Sequence, residues 1–308
     1  MPEVIVIGGA NVDIKGRSRA AVMPGTSNPG EVIVSPGGVG RNIAENLARL
    51  DVSTALLAMT GDDANGRLLR EATAAAGVDT SLIRTSVMPT GTYLAVLDAD
   101  GELVAAVNDM RAAEALDAGT LHGLLHRLAG AAMLVADCNI PVDSLAWLCG
   151  FAHDTGVPLV IEPVSVPKAA KLLALGARPP VFAITPNLQQ LEALTGQGEP
   201  EAALERLHRL GFVNIVAHAG RAGAIVSDGR SAPCRIPAFP VDGIADVTGA
   251  GDAAVAGLVC GLTGGLALAD AARLGQAAAS LKLRSPGSVT AAINRDSVHA
   301  LANLPKDS

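Results

Sequence analysis

The chain has 308 residues, enough for one large or two smaller domains, and this length excludes a small protein held together by disulfides. Its 23 basic and 30 acidic residues give a net charge of −7, which disfavours unspecific binding to nucleic acid. Aromatic residues make up only 2% of the chain, so aromatic platforms for stacking single-stranded bases are not expected either.

The four cysteines are widely spaced and include no C-x-x-C pair, so neither a zinc site nor a disulfide framework is predicted. This cysteine usage is typical of the reducing cytoplasm, where we expect the protein to reside. The apolar run at 4–7 is too short for a signal peptide. Because no uninterrupted apolar stretch reaches the ~18 residues of a bilayer span, we expect no membrane association.

From the run at 4–7 onward, short β-branched stretches alternate with alanine- and leucine-rich helical stretches. The further predicted strands are 54–59, 133–136, 159–161, 182–185, 214–217 and 224–227. The predicted helices are 40–50, 66–76, 116–129, 142–153, 187–194 and 201–210. This alternation predicts an α/β fold in which helices cover both faces of a parallel sheet.

Two stretches interrupt the alternation, at about 11–36 and 88–110. In the second, strands at 92–97 and 102–107 flank Asp98-Ala99-Asp100-Gly101, a turn signal that is typical of a β-hairpin. The chain contains no low-complexity linker and no internal repeat. We therefore expect one domain over 1–308, with these strands inserted as a small β lid.

A glycine-rich motif, Asp246-Val247-Thr248-Gly249-Ala250-Gly251-Asp252, leads into a helical pattern near the end of the chain. Its glycines let backbone N–H groups converge on one point, and the helix N-terminus adds its positive dipole, which together predict an anion cradle. Asp252 falls in the first helical turn, where we expect it to stay ionised. An ionised base beside an anion hole suits phosphoryl transfer to a hydroxyl, whereas a lone motif of this kind also fits a plain helix cap.

A second glycine cluster at 36–44 opens the helix predicted at 40–50. Gly38 lets a ligand approach the backbone, and Asn42 offers both a donor and an acceptor to paired hydroxyls. Asn11 and Asp13 lie two positions apart and face the same side of an extended chain, where Asp13 could accept from vicinal hydroxyls. Together these residues predict a polyol pocket at the carboxyl end of the sheet.

The Gly-Gly-Val-Gly-Arg-Asn element at 37–42 and the Asp-Val-Thr-Gly-Ala-Gly-Asp element at 246–252 resemble the two signatures of the ribokinase-like (PfkB) carbohydrate and nucleoside kinases. The resemblance runs almost end to end, and the stretches 10–14, 27–30, 35–46, 108–110 and 136–140 are most similar to the branch that phosphorylates pseudouridine. It implies a three-layer sandwich with a mainly parallel central sheet, a β-strand lid and a homodimer formed through that lid.

The resemblance also implies ATP-dependent phosphorylation of the 5′-hydroxyl of pseudouridine. Asp252 would be the base, with the anion hole formed by Gly249, Ala250 and Gly251. The substrate-binding candidates are Asn11, Asp13, Gly38 and Asn42 for the ribose, and Asn108 and Asn139 for the uracil end or its lid. The candidates for nucleotide binding are Asn187, His218, Gly220, Gly223 and Thr248.

Two positions depart from the family pattern. Gln190 stands where the family has the glutamate that helps organise Mg²⁺, and His218 replaces a hydroxyl residue in the loop under the nucleotide. Glu162 could supply a carboxylate to Mg²⁺ through water, and the resemblance assigns Asp246 to a site for a monovalent cation such as K⁺. The alternatives are a kinase for another nucleoside or sugar, and a non-catalytic nucleoside sensor with a decayed nucleotide site.

Overall fold

A computed structural model describes residues 3–176 and 179–306 of the chain. The strands, numbered along the chain, are β1 (Val4–Ile7), β2 (Asn11–Ser18), β3 (Gly30–Gly37), β4 (Thr54–Leu57), β5 (Met59–Gly61), β6 (Arg84–Ser86), β7 (Gly91–Leu97), β8 (Leu103–Asp109), β9 (Met133–Asp137), β10 (Leu159–Glu162), β11 (Val181–Ile184), β12 (Phe212–His218), β13 (Ala224–Ser227) and β14 (Cys234–Ile236).

The helices, numbered in the same way, are α1 (Val39–Arg49), α2 (Ala64–Ala75), α3 (Arg111–Glu114), α4 (Ala118–His122), α5 (Leu125–Ala129), α6 (Val142–Thr155), α7 (Val166–Ala169), α8 (Lys171–Ala174), α9 (Leu188–Thr195), α10 (Pro200–Arg209), α11 (Ala250–Thr263), α12 (Leu268–Leu283) and α13 (Arg295–Ala302). A short 3₁₀ turn follows β12 at Gly220–Ala222. Among the described residues, no helix is both long and apolar enough to cross a bilayer.

The main sheet has eight strands in the order β4-β1-β9-β10-β11-β12-β13-β14. Neighbours from β4 to β12 are parallel, and β13 and β14 continue the sheet antiparallel. Most residues of the parallel strands are buried, as expected when helices cover both faces. The predicted α/β architecture with a mainly parallel central sheet is confirmed.

Helices pack on both faces because successive strand residues point to opposite sides. Ile5 and Ile7 of β1 belong to one apolar core, to which α6, α9 and α10 contribute. Val4 and Val6 belong to the other, which takes residues from α1, α11 and α12. The result is a three-layer sandwich in which the carboxyl ends of β1, β9 and β10 lie side by side.

A second sheet has the strand order β3-β2-β7-β8. β2 pairs antiparallel with β3 and parallel with β7, and β7 pairs antiparallel with β8. The predicted hairpin is confirmed, since Gly101 has φ +90° in its turn and its N–H donates to the carbonyl of Asp98 at 3.1 Å. All four strands fall in the two stretches where the sequence pattern breaks.

Two local features differ from the sequence prediction. The single helix predicted at 116–129 is divided into α4 and α5, with Asp117 capping α4 by accepting the Thr120 N–H at 2.8 Å and Gly123 ending it. The sequence pattern also gives no signal for the short parallel pair of β5 and β6. Each of these strands has only three residues, too few for a period of two to be recognised.

Candidate active site

Asp137, at the end of β9, connects the loop after β1 to the first turn of α1 through hydrogen bonds. Its fully buried carboxylate accepts the N–H groups of Gly9 at 2.9 Å and Gly40 at 2.8 Å, and that of Asn139 at 2.8 Å. A Cβ on Gly8 would lie 2.4 Å from Asp137 Oδ2, so the close approach requires glycine. Sequence reasoning assigned Asp137 no role, although a carboxylate directly after a buried strand is a usable signal.

Gly38 connects β3 to α1 in a conformation that side chains rarely adopt. Its φ is +99°, and an added Cβ would lie 2.5 Å from the carbonyl oxygen of Gly9. The backbone at Gly38 is therefore packed against the loop after β1, at the carboxyl end of the sheet. Asn11, the first residue of β2, is paired with Gly37, so Gly38 follows directly after the partner of Asn11.

Asn11 and Asp13 form a side-chain pair on β2, with Asn11 Nδ2 donating to Asp13 Oδ1 at 2.6 Å. Burial raises the pKa of Asp13, against this hydrogen bond and the charges of Lys15 and Arg41. The strand register sets Asp13 in one row with Ser35, Tyr93 and Asn108, so these four residues share a face of the second sheet.

Asp252 lies in the first turn of α11 and is 8% exposed. Asn42 Nδ2 donates to Asp252 Oδ2 at 2.9 Å, so the two glycine clusters meet although these residues are 210 positions apart. Burial raises the pKa of Asp252 to about 7, with the hydrogen bond from Asn42 opposing it and the charges of Asp137 and Asp13 adding to it. The structure thus differs from the expected permanent ionisation, because burial outweighs the helix end.

The loop before α11 exposes backbone donors. Gly249 is the N-cap of α11 with φ +79°, and it makes no side-chain capping bond. The N–H groups of Gly251 and Asp252 come too early in the helix to have an intrahelical acceptor, which leaves them available to an anion. A Cβ on Gly249 would lie 1.9 Å from the carbonyl oxygen of Ser288, so this neighbour also shapes the loop.

A mainly apolar pocket lies beside this loop and holds about 680 Å³ of space, part of it open to solvent. Its lining includes His218, Gly220, Gly223, Phe239, Gly251 and Gln276. Burial lowers the pKa of His218 to about 4, so the ring is neutral at physiological pH. Gly223 has φ +90°, and its Cβ would lie 2.0 Å from the Ile236 carbonyl oxygen. Of the predicted nucleotide residues, Thr248 and Asn187 do not line the pocket.

The residues predicted for metal binding each form hydrogen bonds with different partners. Asn187 and Gln190 form a capping box, in which Gln190 Oε1 accepts the Asn187 N–H at 2.8 Å. Asp246 accepts the N–H groups of Thr248 at 2.8 Å and Gly287 at 3.2 Å. Within residues 3–176 and 179–306, no group of three or more histidine, cysteine or acidic side chains could hold a metal ion.

Glu162, at the end of β10, is a buried carboxylate that accepts the N–H of Val164 at 3.0 Å and the hydroxyl of Thr185. Its pKa is raised to about 8, mainly by burial and in smaller part by the charges of Asp252 and Asp137, against the hydrogen bonds from Thr185 and Val164. The ionised carboxylates of Asp252 and Asp137 thus disfavour ionisation of Glu162. A bound cation would favour the ionised form of this carboxyl.

The two asparagines predicted for the uracil end lie on different parts of the site. Asn139 follows β9 and is 9% exposed, and its Oδ1 accepts from the Lys168 ammonium. Asn108 is exposed on the edge strand β8, opposite Tyr93. Lys168 lies in α7, and only the fold brings it to Asn139.

A profile of the pfkB family carbohydrate kinases matches residues 1–295. The chain belongs to the PfkB family of carbohydrate kinases. It is 34% identical to pseudouridine kinase of Escherichia coli over 91% of this chain and 90% of that protein. It is equally, 34%, identical to the uncharacterized sugar kinase YeiI of E. coli over 92% of this chain and 79% of that protein.

Solved structures agree with this membership. A carbohydrate kinase from Agrobacterium tumefaciens superposes with a TM-score of 0.87 at 30% identity, covering 99% of this chain and 98% of that one. Ribokinase of Arabidopsis thaliana, solved with ribose and ATP, superposes with a TM-score of 0.84 at 23% identity over 99% of both chains. The ribokinase-like fold and the expected family are confirmed, and PfkB kinases are phosphotransferases that act on sugar hydroxyls.

Proposed function

We propose that this PfkB kinase transfers the γ-phosphoryl group of ATP to the 5′-hydroxyl of pseudouridine. The contact between Asn42 and Asp252 at 2.9 Å carries the proposed chemistry, because it unites a polyol-binding amide with a base at an open helix N-terminus. Pseudouridine as the acceptor is supported by the 34% identity to the E. coli pseudouridine kinase.

On the acceptor side, Asn11 and Asp13 bind the ribose hydroxyls, and the backbone of Gly38 lies against the sugar. The Asp252 carboxylate accepts the proton of the 5′-hydroxyl as that oxygen attacks the γ-phosphorus, the bond from this phosphorus to the bridging oxygen breaks, and ADP leaves. A base with a pKa of about 7 is matched to this task, since it is partly ionised at neutral pH and still basic enough to take a proton.

The base of pseudouridine carries one ring N–H more than uridine, so its recognition needs one more acceptor. Asn139, whose side chain accepts a hydrogen bond from Lys168, is proposed to bind the uracil end. Asn108 of the second sheet is proposed to bind the same end of the nucleoside. An amide suits a ring of alternating donors and acceptors because it offers both. The shared row of Asn108 and Asp13 supports a sheet that covers the nucleoside as a lid.

On the nucleotide side, the apolar pocket beside His218 and Gly223 takes the adenine, and the N–H groups before α11 take the phosphates. Mg²⁺, when bound, shields the charge of the phosphate oxygens. Among the described residues predicted for metal binding, Glu162 is the buried carboxylate. These residues therefore fit a Mg²⁺ ion that would be held largely by water and phosphate oxygens and not by a cage of protein ligands.

The second sheet also supports a homodimer. On the face opposite Asp13, two rows of apolar side chains are exposed, with Val34, Leu94 and Val107 in one and Val32 and Val96 in the other. The exposed fraction is 50% for Val34 and 67% for Val107. An apolar patch of this kind on a sheet is typical of a protein interface, and a second copy of this chain is the proposed partner.

The test is a panel of pseudouridine, uridine, adenosine, ribose and fructose 6-phosphate, each assayed with ATP. We expect kcat/KM for pseudouridine to exceed every other value by about tenfold or more. The similarity to the sugar kinase YeiI supports a sugar as the second candidate, and a tenfold preference for ribose or fructose 6-phosphate would establish it. Nucleoside binding in calorimetry without ATP binding or turnover would instead establish a sensor.

A further inference from the structure

Lys282, in the last turn of α12, is the largest fully buried side chain of the described residues. Removing an ammonium from water is costly, so such a group needs polar partners. Lys282 Nζ donates to two main-chain carbonyl oxygens, that of Asp246 at 3.1 Å and that of Ser285 at 2.9 Å. Burial lowers the pKa of Lys282, the charge of Lys15 adds to this, and the charge of Asp246 opposes it.

These two carbonyls belong to the anion loop, residues 246–252, and to the segment that packs on it. Asp246 begins the glycine motif, and its carboxylate accepts the N–H of Gly287 at 3.2 Å. Ser288, three residues after Ser285, puts its carbonyl oxygen where a Cβ of Gly249 would lie. Lys282 therefore ties the start of the anion loop to the segment that packs on it.

The same segment reaches the candidate base. Ser288 Oγ donates to Asn42 Oδ1 at 3.3 Å, and Asn42 in turn donates to Asp252 at 2.9 Å. A shift of residues 285–288 would move both the wall of the anion loop and the amide that orients the base. The position of the Lys282 ammonium is thus coupled to both parts of the site through three successive contacts.

A carboxylate and carbonyl oxygens are ligands that also suit a bare monovalent cation. The residues beside Asp246 do not fit a free K⁺, however, because the ammonium already takes the carbonyl oxygens of Asp246 and Ser285. Each carboxylate oxygen of Asp246 already accepts one backbone N–H group, that of Thr248 or that of Gly287. A second positive charge a few ångströms from a buried ammonium would be repelled.

We propose that Lys282 is a positioning residue whose tethered ammonium replaces a free monovalent cation beneath the anion loop, so that nucleotide binding and turnover are independent of K⁺. The turnover part of this proposal rests on the proposed kinase function, and the binding part does not. Binding of a non-hydrolysable ATP analogue therefore tests Lys282 even if the acceptor is not pseudouridine.

In the wild-type protein, replacing tetramethylammonium chloride by KCl at equal ionic strength should change the Kd of the analogue by less than about twofold. Lys282→Ala should weaken binding by about tenfold or more in tetramethylammonium, and K⁺ or ammonium ions should restore it by filling the vacated space. In turnover assays, the variant should lose kcat with little change in KM for the acceptor.

Lys171→Ala is the matched control, since Lys171 donates to the carbonyls of Cys138 and Ile140 away from the anion loop. Added cations should restore nothing in that variant. The proposal is overturned if K⁺ tightens wild-type binding by about tenfold or more, or if Lys282→Ala binds the analogue normally without added cations. If Lys282→Ala does not fold, Lys282→Arg must retain K⁺-independent binding, and its failure to do so would equally reject the proposal.

Discussion

Asp252 is buried and is the proposed base, so its replacement should lower activity without weakening nucleotide binding. Asp252→Asn keeps the size of the side chain but cannot accept a proton from the acceptor hydroxyl. We expect kcat to fall by ~10²-fold or more while the Kd of the nucleotide stays within about twofold. Steady-state kinetics and calorimetry measure the two quantities, and a fully active variant would show that the proton leaves by another route.

The same substitution should stabilise the protein at alkaline pH. The pKa of Asp252 is about 7 in the folded chain and near 3.8 when unfolded, so between these values the folded state binds more protons. The free energy of unfolding therefore falls as pH rises from about 4 to about 7. Asparagine has no such titration, and thermal unfolding at pH 8 should occur at a higher temperature in Asp252→Asn than in wild type.

The contact of Asn42 with Asp252 makes a prediction about pH. If Asp252 is the base, kcat/KM should rise about tenfold per pH unit below pH 7 and level off above it. Asn42→Ala removes a hydrogen bond that lowers the pKa of Asp252, so the rising limb should move to higher pH.

Ser288→Ala is the control for that shift, because Ser288 contacts the oxygen of Asn42 and leaves the donor to Asp252 in place. Its rising limb should move less than that of Asn42→Ala, because the hydrogen bond from Asn42 to Asp252 remains. A loss of affinity in Asn42→Ala without movement of the limb would mean that Asn42 binds the sugar but does not tune the base.

Among the elements, the start of α11 offers a matched pair of glycines. Gly249→Ala forces a side chain into φ +79° and against the Ser288 carbonyl, 1.9 Å away, and should destabilise the protein by roughly 2 kcal/mol or more. Gly251→Ala meets no atom within 4 Å and should unfold at nearly the wild-type temperature.

Gly251 lines the pocket proposed for the nucleotide, so its added methyl group should weaken ATP binding although the fold is intact. Thermal unfolding and calorimetry on both variants separate the two effects. Equal unfolding temperatures for Gly249→Ala and Gly251→Ala would contradict the assigned packing of the loop.

The hairpin of β7 and β8 is the element proposed to close over the acceptor. A ribosyl ligand should slow hydrogen exchange of backbone amides in 92–107, because closure shields them from water. The helix α6 packs on the face of the main sheet opposite to α1 and α11 and is the internal reference, so its hydrogen exchange should not change. An unchanged exchange rate in the hairpin would leave the second sheet with a role in assembly alone.

Element prediction succeeded where a pattern is long enough to be read. The six predicted core strands appear within about three residues of their expected ends, and the hairpin turn was recognisable from Asp100-Gly101. It failed at Gly123, where one predicted helix became two, because a helical period does not show which glycine ends a turn.

At the scale of the whole molecule, the apolar face of the second sheet is the surface through which we propose that the homodimer forms. Val107→Glu puts a charge on the edge strand of that face, at a side chain that is 67% exposed, and should convert a dimer into a monomer in light scattering after size exclusion. Val87→Glu is the control, since Val87 is 98% exposed and lies outside the sheet. A wild-type protein that is monomeric at all concentrations would reject the homodimer.

The sequence by itself determined the α/β class, the main sheet and the family, because strand period, helix period and glycine spacing are properties of neighbouring residues. The roles of individual site residues remain predictions, although the two glycine elements at 36–44 and 246–252 already indicated the position of the candidate site. Only the tertiary structure decided that Asn42 contacts Asp252, that Lys168 reaches Asn139 and that Lys282 lies buried beneath the anion loop.

It also set the pKa of Asp252, the proposed base, which burial raises to about 7, whereas the sequence alone predicts ionisation at neutral pH. A helix N-terminus is visible in the sequence, but the exclusion of water from Asp252 depends on side chains contributed by distant segments. Contacts across the fold and the burial they produce arise only when the layers pack, so no local pattern encodes them.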